Sequence, residues 1–208
     1  MPSEAGKLHH SVADVYCDEV ERCGQKTVVR DLYRLGFDPI LKAEEMPAVG
    51  AEPGPDVQTE LTHLSGCDVF TLIYPIWFGT PPAMLKGYIE RIFGSGVTPQ
   101  NVLLRNRLGF LTAKRLLIFT TSATKDLWLD EQGQVASLRQ VFDRYLAHAF
   151  GMALEKHVHF GHILPGTRAR WIDQNLYDVR QEPRRVCAEV LAATRHTAPA
   201  KTVGKVLA

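Results

Sequence analysis

The chain has 208 residues, with 24 Lys+Arg against 23 Asp+Glu, a formal charge of +1 and 45% hydrophobic content. This balance gives no electrostatic reason to expect nucleic acid or an anionic membrane as partner, and the composition is that of a globule, not a disordered chain. No apolar run reaches the roughly 20 residues that a spanning helix needs, and Met1 to His10 lacks the apolar core of a secretory signal. One domain over residues 1–208 is expected, with one sizeable core. Cys17, Cys23, Cys67 and Cys187 form no CxxC pair. Reduced thiols, a cytoplasmic setting and no metal site are therefore expected.

The spacing of Val12, Val15, Tyr16, Glu19, Val20 and Cys23 predicts a helix over His10 to Cys23, stopped by Gly24. Thr27 to Leu32 reads as a strand. Gly36 to Pro55 reads as a long loop with at most a short helix. Asp56 to Leu64 reads as a helix with Asp56 as its N-cap. Cys67 to Tyr74 is a continuous apolar strand of the kind buried on both faces of a parallel sheet. A loop, Pro75-Ile76-Trp77-Phe78-Gly79-Thr80-Pro81-Pro82, leads to a helix over Ala83 to Phe93. Thr98 to Lys114 reads as an irregular excursion, Arg115 to Thr121 as a buried strand and Val135 to Ala149 as a helix. His157 to Leu164 is a last strand, and Arg168 to Arg195 a last helix. Strands alternating with helices predict an α/β fold, a doubly wound parallel sheet with helices on both faces. Ligands bind such sheets at the carboxyl ends of the strands.

Three loops therefore attract chemistry. Trp77 and Phe78 at a strand end suit a flat apolar pocket for a planar ring, or else a cap on the core or a subunit interface. Gly79 would let backbone approach a ligand. Thr120-Thr121-Ser122-Ala123-Thr124 offers hydroxyls and backbone N–H groups to polar ring edges, or is ordinary turn chemistry. Ser3-Glu4-Ala5-Gly6-Lys7-Leu8-His9, read as a loop before the first helix, could cradle a phosphate or simply fray. It is not a Walker motif. His157 and His159 should share one strand face, yet no Cys, Asp or Glu nearby completes a metal set with them and His162.

Several stretches match a known pattern. These are Asp31-Leu32-Tyr33 with Gly36-Phe37-Asp38-Pro39, then Tyr74-Pro75-Ile76-Trp77-Phe78-Gly79 with Pro82-Ala83-Met84-Leu85-Lys86-Gly87, then Glu90-Arg91-Ile92-Phe93 and the Leu116 to Ser122 strand and turn. On these the chain resembles the flavodoxin-like NAD(P)H:quinone oxidoreductases, from about Ser3 to Gly161. The resemblance implies a flavodoxin-like fold, bound FAD or FMN, NAD(P)H as co-substrate, a homodimer and two-electron reduction of a quinone-like acceptor. It places Pro75, Ile76, Trp77 and Phe78 on the flavin ring. It places Thr120, Thr121, Ser122, Ala123 and Thr124 at the ring's polar edge. Ser3, Lys7, Leu8 and His9 fall in the phosphate loop, with Leu8-His9 where the family usually has Phe-Asn.

The chain departs from the pattern in three places. The family opens with a strand in the middle of the sheet order 2-1-3-4-5, and this chain begins after it. Unless another segment fills the gap, backbone groups on both neighbours lose their partners. Ser122 and Ala123 replace turn glycines. Trp128 and Gln134 fall near the positions of the Tyr and His proposed as a proton relay in the mammalian enzymes, so no catalytic side chain is assigned. Two functions follow: a flavin-dependent NAD(P)H:quinone oxidoreductase with ping-pong kinetics, or a catalytically weak homologue serving as an ancillary subunit of another protein. An azoreductase or nitroreductase would differ from the first only in acceptor.

Overall fold

The computed structural model describes residues 4–46, 52–103, 109–163, 169–195 and 205–207. Strands β1 (Val29–Arg30), β2 (Val69–Pro75), β3 (Arg115–Thr121), β4 (Ala153–Phe160) and β5 (Lys205–Leu207) form one parallel sheet in the order β1-β5-β2-β3-β4. Helices α1 (Glu4–Arg22) and α8 (Ala169–Arg195) supply one face. There Val12, Tyr16 and Val20 pack with Ile73, Leu117, Phe119 and Val179. The other face carries α2 (Pro55–Leu64), α3 (Ala83–Tyr88) with its π-helical extension Ile89–Phe93, and α6 (Gln134–Leu138). The chain of α6 runs on through a π-helical stretch, Arg139–Arg144, into α7 (Tyr145–Ala149). Leu72, Tyr74, Leu116 and Ile118 meet Tyr88, Ile92, Leu138 and Phe142 there. The short helices α4 (Pro99–Leu103) and α5 (Asp126–Glu131) complete the set.

The gap expected in the middle of the sheet is occupied. β5, near the C-terminus, lies between β1 and β2 and is parallel to both. Val206 stands opposite Val29 on one side and Thr71 on the other, and Leu207 opposite Arg30 and Leu72. The expected gap is thus filled, and the backbone groups of β1 and β2 find partners across it.

Other expectations shift. The first helix starts at Glu4, not His10, because Glu4, Ala5, Lys7 and Leu8 are strong helix formers. The strand expected over Thr27 to Leu32 pairs only at Val29–Arg30. Gly54, not Asp56, caps α2. The excursion before β3 contains α4. β4 begins at Ala153, four positions before its predicted start at His157. Its charged opening residues hid it: Glu155 and Lys156 pair with Arg115, Arg185 and Glu182 on neighbouring elements.

The matching stretches around Phe37 and Arg91 meet in one structural joint. The Arg91 side chain has no exposed surface. Its Nη1 donates to the Asp38 carbonyl oxygen at 2.6 Å, and its Nε and Nη2 donate to both Glu45 carboxylate oxygens at 2.7 and 2.6 Å. Nη2 also reaches Asp56 at 2.8 Å, and the guanidinium lies 5.3 Å from the Phe37 ring centroid. Gly87, one turn earlier, has no room for a Cβ because Pro39 backbone rests on it. The stretches Phe37-Asp38-Pro39 and Leu85-Lys86-Gly87 to Arg91 therefore pin the long loop against the helix that follows the Trp77 loop.

Candidate active site

All strands run the same way, so the loops after β2 and β3 and the amino ends of α1, α3, α5 and α6 share the carboxyl edge of the sheet. This is where the sequence placed the site. After β2, Ile76 N–H donates to the Thr121 carbonyl at 2.8 Å and ties the loop to β3. Trp77 and Thr80 then exchange backbone hydrogen bonds of 2.9 and 3.0 Å. The two residues between them, Phe78 and Gly79, both have positive φ, 49° and 82°. This is the geometry of a type I′ turn, which suits Gly79 and strains Phe78. Trp77 is 59% exposed, and Phe78 is fully exposed. Pro75 and Ile76 are half-buried, and Ile76 packs on the core. The strained turn thus holds two aromatic side chains out over the edge.

Gly79 does not open the backbone to a ligand. A Cβ there would collide with the side-chain amide of Gln134, at the start of α6. Gln134 therefore belongs to this loop's surroundings, a contact between distant segments that no local pattern announces.

The second loop is largely turned inward. Thr120 and Thr121 are buried strand residues on opposite faces of β3, and Ser122 lies just beneath the surface. Only Ala123 and Thr124 reach solvent. The Ser122 N–H is taken by the Phe160 carbonyl at 3.0 Å, and the Thr124 carbonyl by His162 N–H at 2.8 Å. Of the five residues expected at a ring edge, Thr120 and Thr121 thus point into the two cores.

What Thr120 touches is a row of buried polar groups. His157 and His159 share a face of β4, as their spacing predicts, but their ring nitrogens are spent on hydrogen bonds. Thr120 Oγ1 is 2.7 Å from His157 Nε2 and 2.7 Å from His159 Nδ1. His157 Nδ1 is 2.5 Å from Asp143 Oδ2, and His159 Nε2 is 3.1 Å from Ser122 Oγ. Ser122 Oγ also lies 2.9 Å from the Thr124 carbonyl oxygen, and can donate to it. Asp143 sits in the π-helical stretch, has no exposure, and its Oδ1 has no hydrogen-bond partner among the described residues. The same holds for the Tyr74 hydroxyl, whose pKa is raised by burial and then by the Asp143 charge. Burial, followed by the charges of His157 and Arg139, pushes His159 down to about 4. Asp143 stands three residues before Leu146, on the inward stripe of its helix. An acidic residue in that stripe was the one signal that could have revealed it.

The third predicted loop is not a loop. Lys7, Leu8 and His9 lie within α1, and Ser3 is outside the described residues. The amino end of α1 faces the carboxyl edge, since α1 runs antiparallel to the strand it precedes.

Three comparisons bear on this edge. Residues 2–182 match the profile of a family described by its flavodoxin-like fold. The chain is 25% identical over 145 residues to NAD(P)H dehydrogenase [quinone] 1 of Cavia porcellus, covering 61% of this chain and 52% of that protein. It is 39% identical over 74 residues to an uncharacterized NAD(P)H oxidoreductase of Haemophilus influenzae, covering 35% and 37%. The chain thus spans about half, or less, of the length of these curated relatives. Among solved structures it is similar to an NAD(P)H:quinone oxidoreductase from Methanothermobacter marburgensis, with TM-score 0.75 and 22% identity over 86% of this chain and 88% of that one. It is also similar to a putative quinone reductase from Klebsiella pneumoniae, with TM-score 0.70 and 15% identity over 86% and 79%. These structural likenesses speak to the fold.

Proposed function

Because the chain belongs to the family of flavodoxin-like folds, we propose that it is a flavin-dependent NAD(P)H:quinone oxidoreductase working at the carboxyl edge of its sheet. The observation that carries this reading is the strained Trp77–Thr80 turn, which presents two exposed aromatic rings beside a loop of small polar residues. The edge fits a flavin: a flat apolar ledge stands next to hydroxyl and backbone groups, and the amino end of α1 offers partial positive charge for a phosphate. The names of the relatives agree with it.

Trp77 and Phe78 would pack on the flavin ring, with Pro75 and Ile76 as the floor beneath. Ala123 and Thr124 would meet its polar edge, with Ser122 behind them. Lys7, Leu8 and His9, in the first turns of α1, would lie nearest its phosphates, and Ser3 is proposed to join them. Bound FAD or FMN supplies hydride exchange, taking two electrons from NAD(P)H and passing them to a quinone-like acceptor. The protein's own work is to stack, orient and exclude water. Exposed Phe78, Leu127 and Trp128 supply apolar surface for a second copy in a homodimer. No described helix is long and apolar enough to cross a membrane. A cytoplasmic setting is part of the proposal.

The test is steady-state kinetics on chain loaded with FAD or FMN, with NADH or NADPH as donor and a benzoquinone as acceptor. Quinone reduction with parallel double-reciprocal lines is expected. Flavin-loaded, folded protein that oxidises neither nucleotide would point to the ancillary-subunit alternative.

A further inference from the structure

We propose that the buried row Asp143–His157–Thr120–His159–Ser122 is a proton path that delivers one proton to the acceptor at the carboxyl edge. This rests on the oxidoreductase reading above. The residues of the path come from three separate elements, β3, β4 and the π-helical stretch after α6, and from the loop after β3. Asp143, His157, Thr120 and Ser122 are buried, and His159 is half-buried with a side chain only 7% exposed.

The donors and acceptors of the row close in two ways that differ by one proton. In the loaded order, His157 Nδ1–H donates to Asp143 and His157 Nε2–H to Thr120 Oγ1. The Thr120 hydroxyl then donates to His159 Nδ1, His159 Nε2–H to Ser122 Oγ, and the Ser122 hydroxyl to the Thr124 carbonyl. In the discharged order every bond beyond His157 reverses. Ser122 donates to His159 Nε2, His159 Nδ1–H to Thr120, and the Thr120 hydroxyl to His157 Nε2. Neither order leaves a ring nitrogen unpaired, and no heavy atom has to move. Protons shift by one bond each along the row, and the net result is that one proton leaves at Ser122.

The surroundings suit transfer. Arg139, whose Nη2 donates to the His157 carbonyl at 3.4 Å, adds positive charge near both rings. Asp126 lies 3.6 Å from His159 Nε2, and Asp130 acts on the same ring from farther away. Tyr74 faces Asp143 from β2. Burial holds His159 in its neutral form, so it passes a proton on and does not hold it, and the row ends inward on the Asp143 carboxylate, 2.5 Å from His157 Nδ1.

The reaction needs one such proton. NAD(P)H gives up a hydride, which carries two electrons and one proton. A quinone becomes a hydroquinone only by taking one further proton. That proton leaves the path at Ser122, and solvent restores it after the product departs.

Thr120→Val interrupts the row at its midpoint with little change in shape. Its rates are compared with wild type for a benzoquinone, which needs the proton, and for ferricyanide, which takes electrons alone. The ratio of quinone to ferricyanide rate should fall on the order of 10- to 100-fold, the scale of lost proton transfer. Ser122→Ala, at the exit, should lower the ratio in the same direction and serves if Thr120→Val does not fold. An unchanged ratio overturns the path, whether both rates fall together or neither does. Wild type inactive with both acceptors overturns the oxidoreductase reading, and the delivery role with it. In flavin-free protein, ring ¹⁵N resonances should show His157 losing its Nε2 proton in the same step as His159 switches from the Nε2–H to the Nδ1–H tautomer in wild type, and the two changes separating in Thr120→Val. Independent titration in wild type overturns the path.

Discussion

Arg91 carries its charge on a fully buried side chain that makes four hydrogen bonds, two of them to Glu45. Removing one partner of a buried ion pair leaves the other charged and desolvated. Arg91→Met should therefore cost about 3–5 kcal/mol in a urea unfolding experiment; a loss below about 1 kcal/mol, the scale of a surface pair, would contradict the joint described above. Arg91 was visible in the sequence as part of a pattern, but its structural duty was not, because its partners lie 35 to 53 positions away. The same holds at the candidate site. The two-residue spacing of His157 and His159 was enough to put both on one face. Asp143 and Gln134 reach the site only through tertiary packing, so the histidines were weighed as metal ligands without the partners they in fact have.

Among the elements, the long apolar runs were the legible ones. β3 lies where its unbroken run RLLIFTT placed it, and β2 is displaced by only a residue or two. The edge strands β1 and β4 were less legible, since exposure on one side admits charged residues. β5 escaped notice because three residues carry no periodicity, and because its place beside β1 and β2 is fixed by strands far away in sequence. Its role has a consequence. Val206 pairs on both sides, and proline there removes a backbone donor from the middle of the sheet. Val206→Pro should cost about 1–3 kcal/mol, the scale of a buried backbone group left without its partner, and strip hydrogen-exchange protection from Phe70 to Leu72. Unchanged protection at those amides would mean that β5 does not hold the central position.

For the whole molecule, the alternation of strands and helices was sufficient to predict a parallel sheet flanked on both faces, and the match over residues 2–182 places the chain in the flavodoxin-like family. What alternation could not supply was closure: a sheet whose central strand comes from the far end of the chain reads, in sequence order, as a sheet with a gap. The proposed flavin site depends on that closure, because the edge that would hold the ring adjoins the end of β5. The most direct test is the visible absorption spectrum of the purified 208-residue chain after incubation with FAD or FMN and removal of excess ligand. Trp77→Ala serves as the comparison. The account predicts a retained flavin band in wild type and an affinity on the order of 10-fold weaker in Trp77→Ala, as expected for losing one stacked aromatic. Folded wild-type protein that retains neither flavin would contradict it.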